Sequence, residues 1–221
     1  RMPKSSNSSK VSNYSMSFNS ASNNWIELID SSSIFNGLTA FSVSLWLNPS
    51  STQVAFAGVF GYHSANTKYF KLYFTGTPAN NQLEIAFRNS ATAVATSSIN
   101  SIPLNTWTNV IAVFDVSSSL SLYVNGSLDG QDTTNLPTSS VQSTNIYIGT
   151  GSNPNFHNSR AFNGKIDHVS IFDYALSSSQ VTSLYGNSTD GVGNPMSLST
   201  KPVAYYKIGD KAAFNGSEYL V

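Results

Sequence analysis

The segment "WTNVIAVFDVSSSLSLYVNG", residues 107–126, decides the fold of this 221-residue chain. Residues 107–115 and 119–125 are rich in β-branched and aromatic side chains, and a short serine-rich turn separates them. Asn125-Gly126 then supplies two residues that tolerate a positive φ, as a tight turn requires. The segment therefore predicts two consecutive strands followed by a tight turn.

The same alternation of apolar and polar residues recurs along the chain. In "FSVSLWL", residues 41–47, the odd-numbered Phe, Val and Leu share one face, and the two serines share the other with Trp46. In "QLEIAFR", residues 82–88, Leu, Ile and Phe alternate with Glu, Ala and Arg. About a dozen short strands of this kind predict an all-β sandwich of two antiparallel sheets. The other predicted strands are 14–19, 25–29, 54–60, 68–75, 144–149, 163–172 and 203–208.

One short helix is predicted near 177–185. Ser177 and Gln180 have the spacing of a capping box, in which each side chain accepts a backbone N–H of the other residue. Leu176 and Val181 occupy the hydrophobic staple positions, and Gly186 offers a C-terminal stop.

Composition excludes several function classes. Lys+Arg and Asp+Glu are 11 each, so the chain is neutral, and we expect no nucleic-acid partner because phosphate binding needs a basic face. There is no cysteine for disulfides or thiolate metal sites, and no apolar run long enough for membrane insertion. The hydrophobic share of 40% is enough for a packed core.

We divide the chain into four parts by pattern. Residues 1–12 are expected to be a leader or linker, and 13–186 the folded domain. Residues 187–202 are expected to be a loop or linker. Residues 203–221, with "VAYYKIGD", are an extra strand that either closes this domain or starts a following module.

Three segments have the order and spacing of a known family. "AFSVSLWLNP" (40–49) is similar to its "FTVSAWVKP"-type strand, and residues 105–130 to its "W-x-H-V-A…L-Y-V-N-G" hairpin. Residues 146–185 are similar to its "I-G…F-x-G-x-I-D-E-V-R-I-Y-N-R-A-L-S" ending. On these segments, across about 14–186, the chain resembles laminin-G-like, concanavalin A-like jelly-roll domains. Such domains occur in tandem-repeat surface proteins and marine phage structural proteins. The resemblance implies a jelly-roll sandwich with core aromatics at Trp25, Trp46 and Trp107.

The superfamily includes glycosidases, which need two carboxylates flanking one bond. The acids closest in sequence, Glu27/Asp30 and Asp129/Asp132, are three residues apart, so each pair lies on opposite strand faces or in a turn. Glu84 has no acidic neighbour in sequence. We therefore predict that the chain is not an enzyme.

Asp167 and His168 are adjacent in a predicted strand. Strict alternation places Asp167 on the face of Val169 and Ile171, where an unpaired carboxylate is unfavourable. Some relatives bind a structural calcium ion through an aspartate at this position, so the resemblance implies Ca²⁺ at Asp167. Asn19 is a second oxygen ligand by position only. The alternative is that Asp167 accepts backbone N–H groups where strands cross.

Sugar sites combine aromatic faces with planar polar groups. Two predicted loops, "GYHSANTKY" (61–69) and "GSNPNFHNSR" (151–160), offer both, and Arg88 ends a neighbouring strand. Ordinary packing of the aromatic residues under their own loops is the alternative interpretation. The candidate ligand-binding residues are Tyr62, His63, Asn66, Tyr69, Arg88, Asn155, Phe156, His157 and Arg160.

The leading hypothesis is a non-enzymatic recognition module that binds a glycan or a surface protein. It is expected outside the cell or on a virion surface, where a homo-oligomer or a larger virion assembly is a further expected partner. A structural capsid-decorating or fibre domain without sugar binding is the second hypothesis, and a divergent glycoside hydrolase is the third.

Overall fold

The computed structural model describes residues 15–22, 24–29, 31–151, 160–187 and 192–208, and the backbone of two short strands beyond them. This part of the chain forms fifteen strands, one α-helix, α1 (Ser178–Tyr185), and three 3-10 helices (Ser20–Ser22, Pro78–Asn80 and Pro195–Ser197). The strands are β1 (Met16–Phe18), β2 (Ile26–Leu28), β3 (Ala40–Pro49), β4 (Gly58–Ala65), β5 (Lys68–Phe74), β6 (Leu83–Asn89), β7 (Ala91–Thr96), β8 (Thr108–Asp115), β9 (Ser119–Val124), β10 (Ser127–Asp132), β11 (Ile146–Ile148), β12 (Gly164–Phe172), β13 (Ala204–Tyr206), β14 (Ala213–Phe214) and β15 (Tyr219–Leu220).

Thirteen of these strands form two antiparallel sheets. The seven-stranded sheet has the order β1-β12-β3-β8-β9-β10, with β13 also paired to β12. The six-stranded sheet has the order β2-β11-β4-β5-β6-β7, and β14 pairs only with β15. The late strands β11 and β12 each lie between earlier ones. The predicted all-β jelly-roll sandwich with one short helix is confirmed.

The core lies between the two sheets and is built largely from phenylalanine. Phe41 of β3 contacts Phe70 and Phe87 of the facing sheet, with ring centroids 5.1 and 5.4 Å apart, and Phe87 contacts Phe114 at 4.7 Å. Burying one such side chain contributes about 1.5–3 kcal/mol. All four rings are fully buried. The face assignments predicted for 41–47 and 83–87 are confirmed.

The three tryptophans depart from the predicted core positions. Trp25, just before the edge strand β2, is 37% exposed, and Trp107, just before β8, is partly exposed. Trp46 is buried, but on the outer face of its sheet, where it stacks on Tyr185 of α1 with centroids 5.9 Å apart. The expectation of a core aromatic is therefore wrong for Trp25 and Trp107, because both precede the paired part of their strands.

Helix α1 covers the outer face of the seven-stranded sheet. The Ser177 side chain accepts the N–H of Gln180, and the Gln180 side chain accepts the N–H of Ser177 at 2.9 Å, which is the predicted capping box. Gly186, with φ of 82°, caps the C-terminus. Val181 and Leu184 are buried against apolar residues of β8 and β12. This packing leaves the outer face of the other sheet for a site.

Several elements differ from the sequence prediction. Strand β4 begins at Gly58 and runs through Ala65, so "GYHSA" is a strand where a loop was expected. Strands β7 and β10 were missed, because β7 is alanine- and threonine-rich and β10 is polar and largely exposed. Each has a single large apolar residue, Val94 in β7 and Leu128 in β10, and both are exposed, so neither strand gives the alternation signal.

Strand β13 extends the edge of the seven-stranded sheet. Ser170 of β12 pairs with Tyr205, and the Val203 N–H donates to the Ile171 carbonyl at 2.8 Å. Both alternatives for residues 203–221, closure of this domain and the start of a following module, stay predictions. The division of the chain at 12, 186 and 202 stays a prediction, and the segment 1–12 lies outside the described residues. In the part of the chain that the structure describes, no helix is long and apolar enough to span a membrane.

Candidate functional site

Strands β4, β5 and β6 align outward-facing side chains across the six-stranded sheet. His63, Tyr69 and Arg88 stand opposite one another in register, and the His63 ring meets the Tyr69 ring edge-on at 5.6 Å. In the next outward-facing row, Lys71 lies between a glycine of β4 and an alanine of β6. Because these two neighbours are small, the sheet surface has a depression around Lys71.

This depression is a cavity of about 290 Å³, which we call the outer-sheet pocket. Its walls come from β4, β5, β6, the turn before β4, and the chain on either side of residues 152–159. The lining residues are Phe56, His63, Asn66, Tyr69, Lys71, Tyr73, Arg88, Thr150, Gly151 and Arg160.

Glycines let the end wall of the pocket approach the sheet. A Cβ on Gly58 would lie 1.7 Å from the backbone nitrogen of Gly151, and a Cβ on Gly61 would lie 2.3 Å from the carbonyl oxygen of Phe70. The Gly58 N–H also donates to the Arg160 carbonyl at 2.8 Å. The close contact therefore fixes the backbone from which the Arg160 side chain projects.

Phe56 forms a side wall from a turn with left-handed backbone. Its φ is 62°, an uncommon value for a residue with a side chain, and its ring is 44% exposed. The ring lies over Gly76, where an added Cβ would be 2.7 Å from the Phe56 Cζ. The Arg160 guanidinium lies over the ring, 4.9 Å from its centroid.

Three cationic side chains line the pocket. The Lys71 Nζ lies 4.6 Å from the centroid of the Tyr69 ring. Burial lowers the pKa of Lys71 to about 8, and the positive charge of Arg160 contributes to the shift. Arg88 donates from Nη1 to the Asn66 carbonyl at 3.3 Å. The pocket therefore presents N–H donors from three directions.

The acid closest to the pocket in the sheet register, Glu84, is engaged by other side chains. It accepts a hydrogen bond from the Tyr73 hydroxyl and one from Thr96 Oγ1 at 3.4 Å. Burial, with the hydrogen bond and charge of Glu84, raises the pKa of Tyr73. No carboxylate is among the described lining residues, so two acids flanking one bond are not found there.

The structure brings five of the nine candidate ligand residues together: His63, Asn66, Tyr69, Arg88 and Arg160. The expectation that Tyr62 is a loop residue of the site is corrected by the structure. Because β4 is a strand, alternation turns the Tyr62 side chain into the core, where it is fully buried. Asn155, Phe156 and His157 lie outside the described residues.

Sequence reasoning missed Phe56, Lys71, Tyr73, Thr150 and Gly151. For two of them a signal was present. In "KYFKLYF", residues 68–74, alternation puts Tyr69, Lys71 and Tyr73 on one face, opposite the apolar Phe and Leu residues. No comparable signal marks Phe56, because its position depends on a left-handed turn.

The Asp167–His168 pair lies at a β-bulge. Asp167 pairs with Trp46 and Ser170 with Ser44, so β12 has one extra residue there, and His168 has φ of 52°. The bulge reverses the face of the strand after Asp167. The prediction that Asp167 shares a face with Val169 and Ile171 is therefore wrong, because paired residues share a face and Asp167 lies with Trp46.

Asp167 is fully buried, and its Oδ1 accepts the His168 N–H at 2.7 Å. The backbone contact that was the alternative to calcium is thus present. Asn19 is exposed, accepts the Ala21 N–H and follows Phe18, which pairs with Gly164. Asn19 is therefore about four residues along the sheet from Asp167, ~13 Å, too far for one ion. Among the described residues no three His, Cys, Asp or Glu groups cluster. A calcium ion at Asp167 would need backbone carbonyls for the rest of its shell, and it stays a prediction.

Comparison with known proteins identifies the family. The sequence profile described as the concanavalin A-like lectin/glucanases superfamily matches residues 19–182, most of the chain. The chain belongs to this superfamily. No curated protein matches this concanavalin A-like domain.

Solved structures show the same fold at low identity. Domain 4 of an extracellular GH43 arabinanase from Geobacillus stearothermophilus, in complex with arabinotriose, is 20% identical with a TM-score of 0.56, over 76% of this chain and 74% of that one. A native heptameric SAP-like pentraxin from Limulus polyphemus is 16% identical with a TM-score of 0.54, over 80% and 86%. The CBM40 of a Ruminococcus gnavus IT-sialidase, bound to α2,3 sialyllactose, is 14% identical with a TM-score of 0.54, over 68% and 84%. At these identities the likeness of each structure to the concanavalin A-like domain is one of fold.

Proposed function

We propose that this concanavalin A-like domain is a non-enzymatic glycan-binding module and that the outer-sheet pocket is its binding site. The observation that carries the proposal is the pocket itself. It places Tyr69, Arg88 and Asn66 around one cavity of about 290 Å³, the combination of rings and planar polar groups that sugars require. Two solved structures of this fold, the arabinanase domain and the CBM40, contain bound saccharides, which gives further support.

The absence of enzymatic activity is part of the proposal. The described lining of the pocket has no carboxylate, and Glu84 accepts a hydrogen bond from the Tyr73 hydroxyl. A hydrolase needs one acid free to protonate the leaving group and a second acid nearby. Release of reducing sugar from a polysaccharide, lost in Glu84→Gln, would favour a glycoside hydrolase instead.

The experiment is a glycan array with the wild-type domain and three variants. We expect wild-type binding to be lost in Tyr69→Ala and Arg88→Ala. Binding should be retained in Lys165→Ala, because Lys165 is exposed and lies on the seven-stranded sheet, away from the pocket. Circular dichroism and thermal melting check that each variant is folded. Binding that survives both pocket substitutions would move the site elsewhere. No binding to any saccharide would favour a structural assembly domain.

We further propose that the module is displayed on a secreted protein or a virion surface. The support is the family and a neighbour of the same fold from an extracellular enzyme. Fractionation of the producing cells or particles, with an antibody against the domain, would test this location. Recovery only from the cytoplasm would contradict it.

A further inference from the structure

The outer-sheet pocket has an imbalance of charge in a chain that is neutral as a whole. Lys71, Arg88 and Arg160 line it, and no Asp or Glu does so among the described residues. Glu84 is held by Tyr73 and Thr96 through the contacts described above. Residues 152–159, "SNPNFHNS", contain no Asp or Glu. That segment therefore cannot supply a balancing carboxylate.

Two of the cations also lie over aromatic rings of the pocket. The Lys71 ammonium lies over Tyr69 and the Arg160 guanidinium over Phe56, at 4.6 and 4.9 Å from the ring centroids. A ligand entering the pocket meets N–H donors where these rings would otherwise be open. Such donors are satisfied best by an acceptor that carries a charge.

Lys71 is the central residue of this arrangement. It stands in the row between two small residues, so space is left above the ammonium group. Tyr69 and Tyr73 flank it on β5. His63 on β4 and Glu84 and Arg88 on β6 lie one row away, and Arg160 lines the end wall. The positive charge of Arg160 disfavours a second positive charge at Lys71, and a bound anion would relieve this repulsion.

We propose that the outer-sheet pocket selects saccharides that carry an anionic group, a carboxylate or a sulfate ester, and that Lys71 and Arg160 hold this group. The inference rests on the glycan-binding function proposed above and adds the charge of the ligand. Arg160 offers a planar pair of donors to two oxygens of the anion, and Lys71 offers a point charge. Asn66 and Arg88 line the same pocket and would contact sugar hydroxyls.

The test compares ligands that differ only in charge. Oligogalacturonate is matched with its methyl ester, and a sulfated galactan oligosaccharide with its desulfated form, by isothermal titration at pH 7. We expect at least one anionic member to bind about tenfold or more tightly than its neutral partner, since hydrogen bonds to charged groups are the stronger ones. The uronate and sulfate arms distinguish the two sources of the charge.

Substitutions test whether the preference for an anionic ligand arises in the outer-sheet pocket. Lys71→Met and Arg160→Met should each lower affinity for the anionic ligand about tenfold, while Lys71→Arg should retain most of it. Lys68→Met is the matched control, because Lys68 is an exposed lysine on the same strand. A melting curve for each variant separates lost binding from lost folding. Unchanged affinity in both methionine variants would overturn the assignment.

A pH series gives a second readout. The anion binds the protonated form of Lys71, and in the free protein this form is lost as the pH rises through about 8. Affinity for the anionic ligand should therefore fall above pH 8 in wild type and stay flat in Lys71→Arg. Equal binding of each anionic ligand and its neutral partner overturns the inference and leaves the glycan-binding function standing. Binding of no saccharide overturns both.

Discussion

Replacing Lys71 with methionine tests whether the pocket holds a positive charge that lowers the stability of the fold. Burial, with Arg160, lowers the pKa of Lys71 from 10.5 to about 8. At 1.36 kcal/mol per pKa unit this shift corresponds to about 3 kcal/mol against the charged form. Lys71 is partly exposed, so solvent screening reduces the penalty, and the lost contact with Tyr69 removes about 0.5–1 kcal/mol. We expect Lys71→Met to be about 1 kcal/mol more stable than wild type at pH 7.

The extra stability of Lys71→Met over wild type depends on pH, and proton linkage gives the direction of the change. Between pH 8 and 10.5 the unfolded state holds more protons at Lys71 than the folded state does. The stability of the wild-type protein relative to a protein without this group therefore rises with pH across this window. Below pH 8 the penalty is fully present, and above 10.5 it is absent. The difference between Lys71→Met and wild type should accordingly shrink as the pH rises.

Urea unfolding followed by tryptophan fluorescence at pH 7, 8, 9 and 10 measures this difference. At pH 7 the expected gain corresponds to a melting temperature about 2–4 °C higher for a domain of this size. Lys68→Met, on the same strand but exposed, should unfold close to wild type at every pH. A methionine variant that is less stable than wild type at pH 7 would refute the reasoning. So would a difference that stays constant to pH 10.

Three further predictions concern the scaffold. Gly58→Ala should lower stability by about 3 kcal/mol in urea unfolding, because its Cβ would meet the backbone of Gly151. Ser177→Ala should lower stability by about 1 kcal/mol through loss of the helix cap, with the neighbouring Ser178→Ala near neutral. Calcium at Asp167 predicts a melting temperature that rises with the ion and falls with chelator in wild type but not in Asp167→Asn. Identical melting under both conditions would leave Asp167 as a backbone acceptor alone.

The part of the fold that the sequence predicts well is the part where large apolar residues alternate with polar ones. In 41–47 and 83–87 the alternating Phe, Val, Leu and Ile side chains stabilise the fold when they lie on the core face. The pattern therefore determines which face of each strand is turned to the core. The same rule would have found Lys71 on the outer face of 68–74. It fails for β7, where alanine and threonine differ little in hydrophobicity, and for Phe56, whose position depends on a positive φ.

The candidate site was predictable in some of its polar residues and not in its depth. His63, Tyr69 and Arg88 were chosen by residue type, and strand pairing brings them into one row. The cavity exists because Gly58 and Gly61 admit the backbone around residue 151 against the sheet. Such a contact joins segments about 90 residues apart in sequence, and no local pattern contains it.

The bulge in β12 accounts for the positions of both Asp167 and His168, which strict alternation does not explain. With an extra residue at His168, Asp167 lies on the outer face of the sheet and not on the core face of Val169 and Ile171. The His168 ring contacts β13, where Nδ1 lies 2.7 Å from the Tyr205 hydroxyl and the rings stack at 5.9 Å. An adjacent Asp and His therefore serve the scaffold here: one accepts the backbone N–H at the bulge, and the other contacts β13. Because β13 pairs with β12 immediately after the bulge, a residue pair that suggests catalysis helps to hold β13 in the sheet.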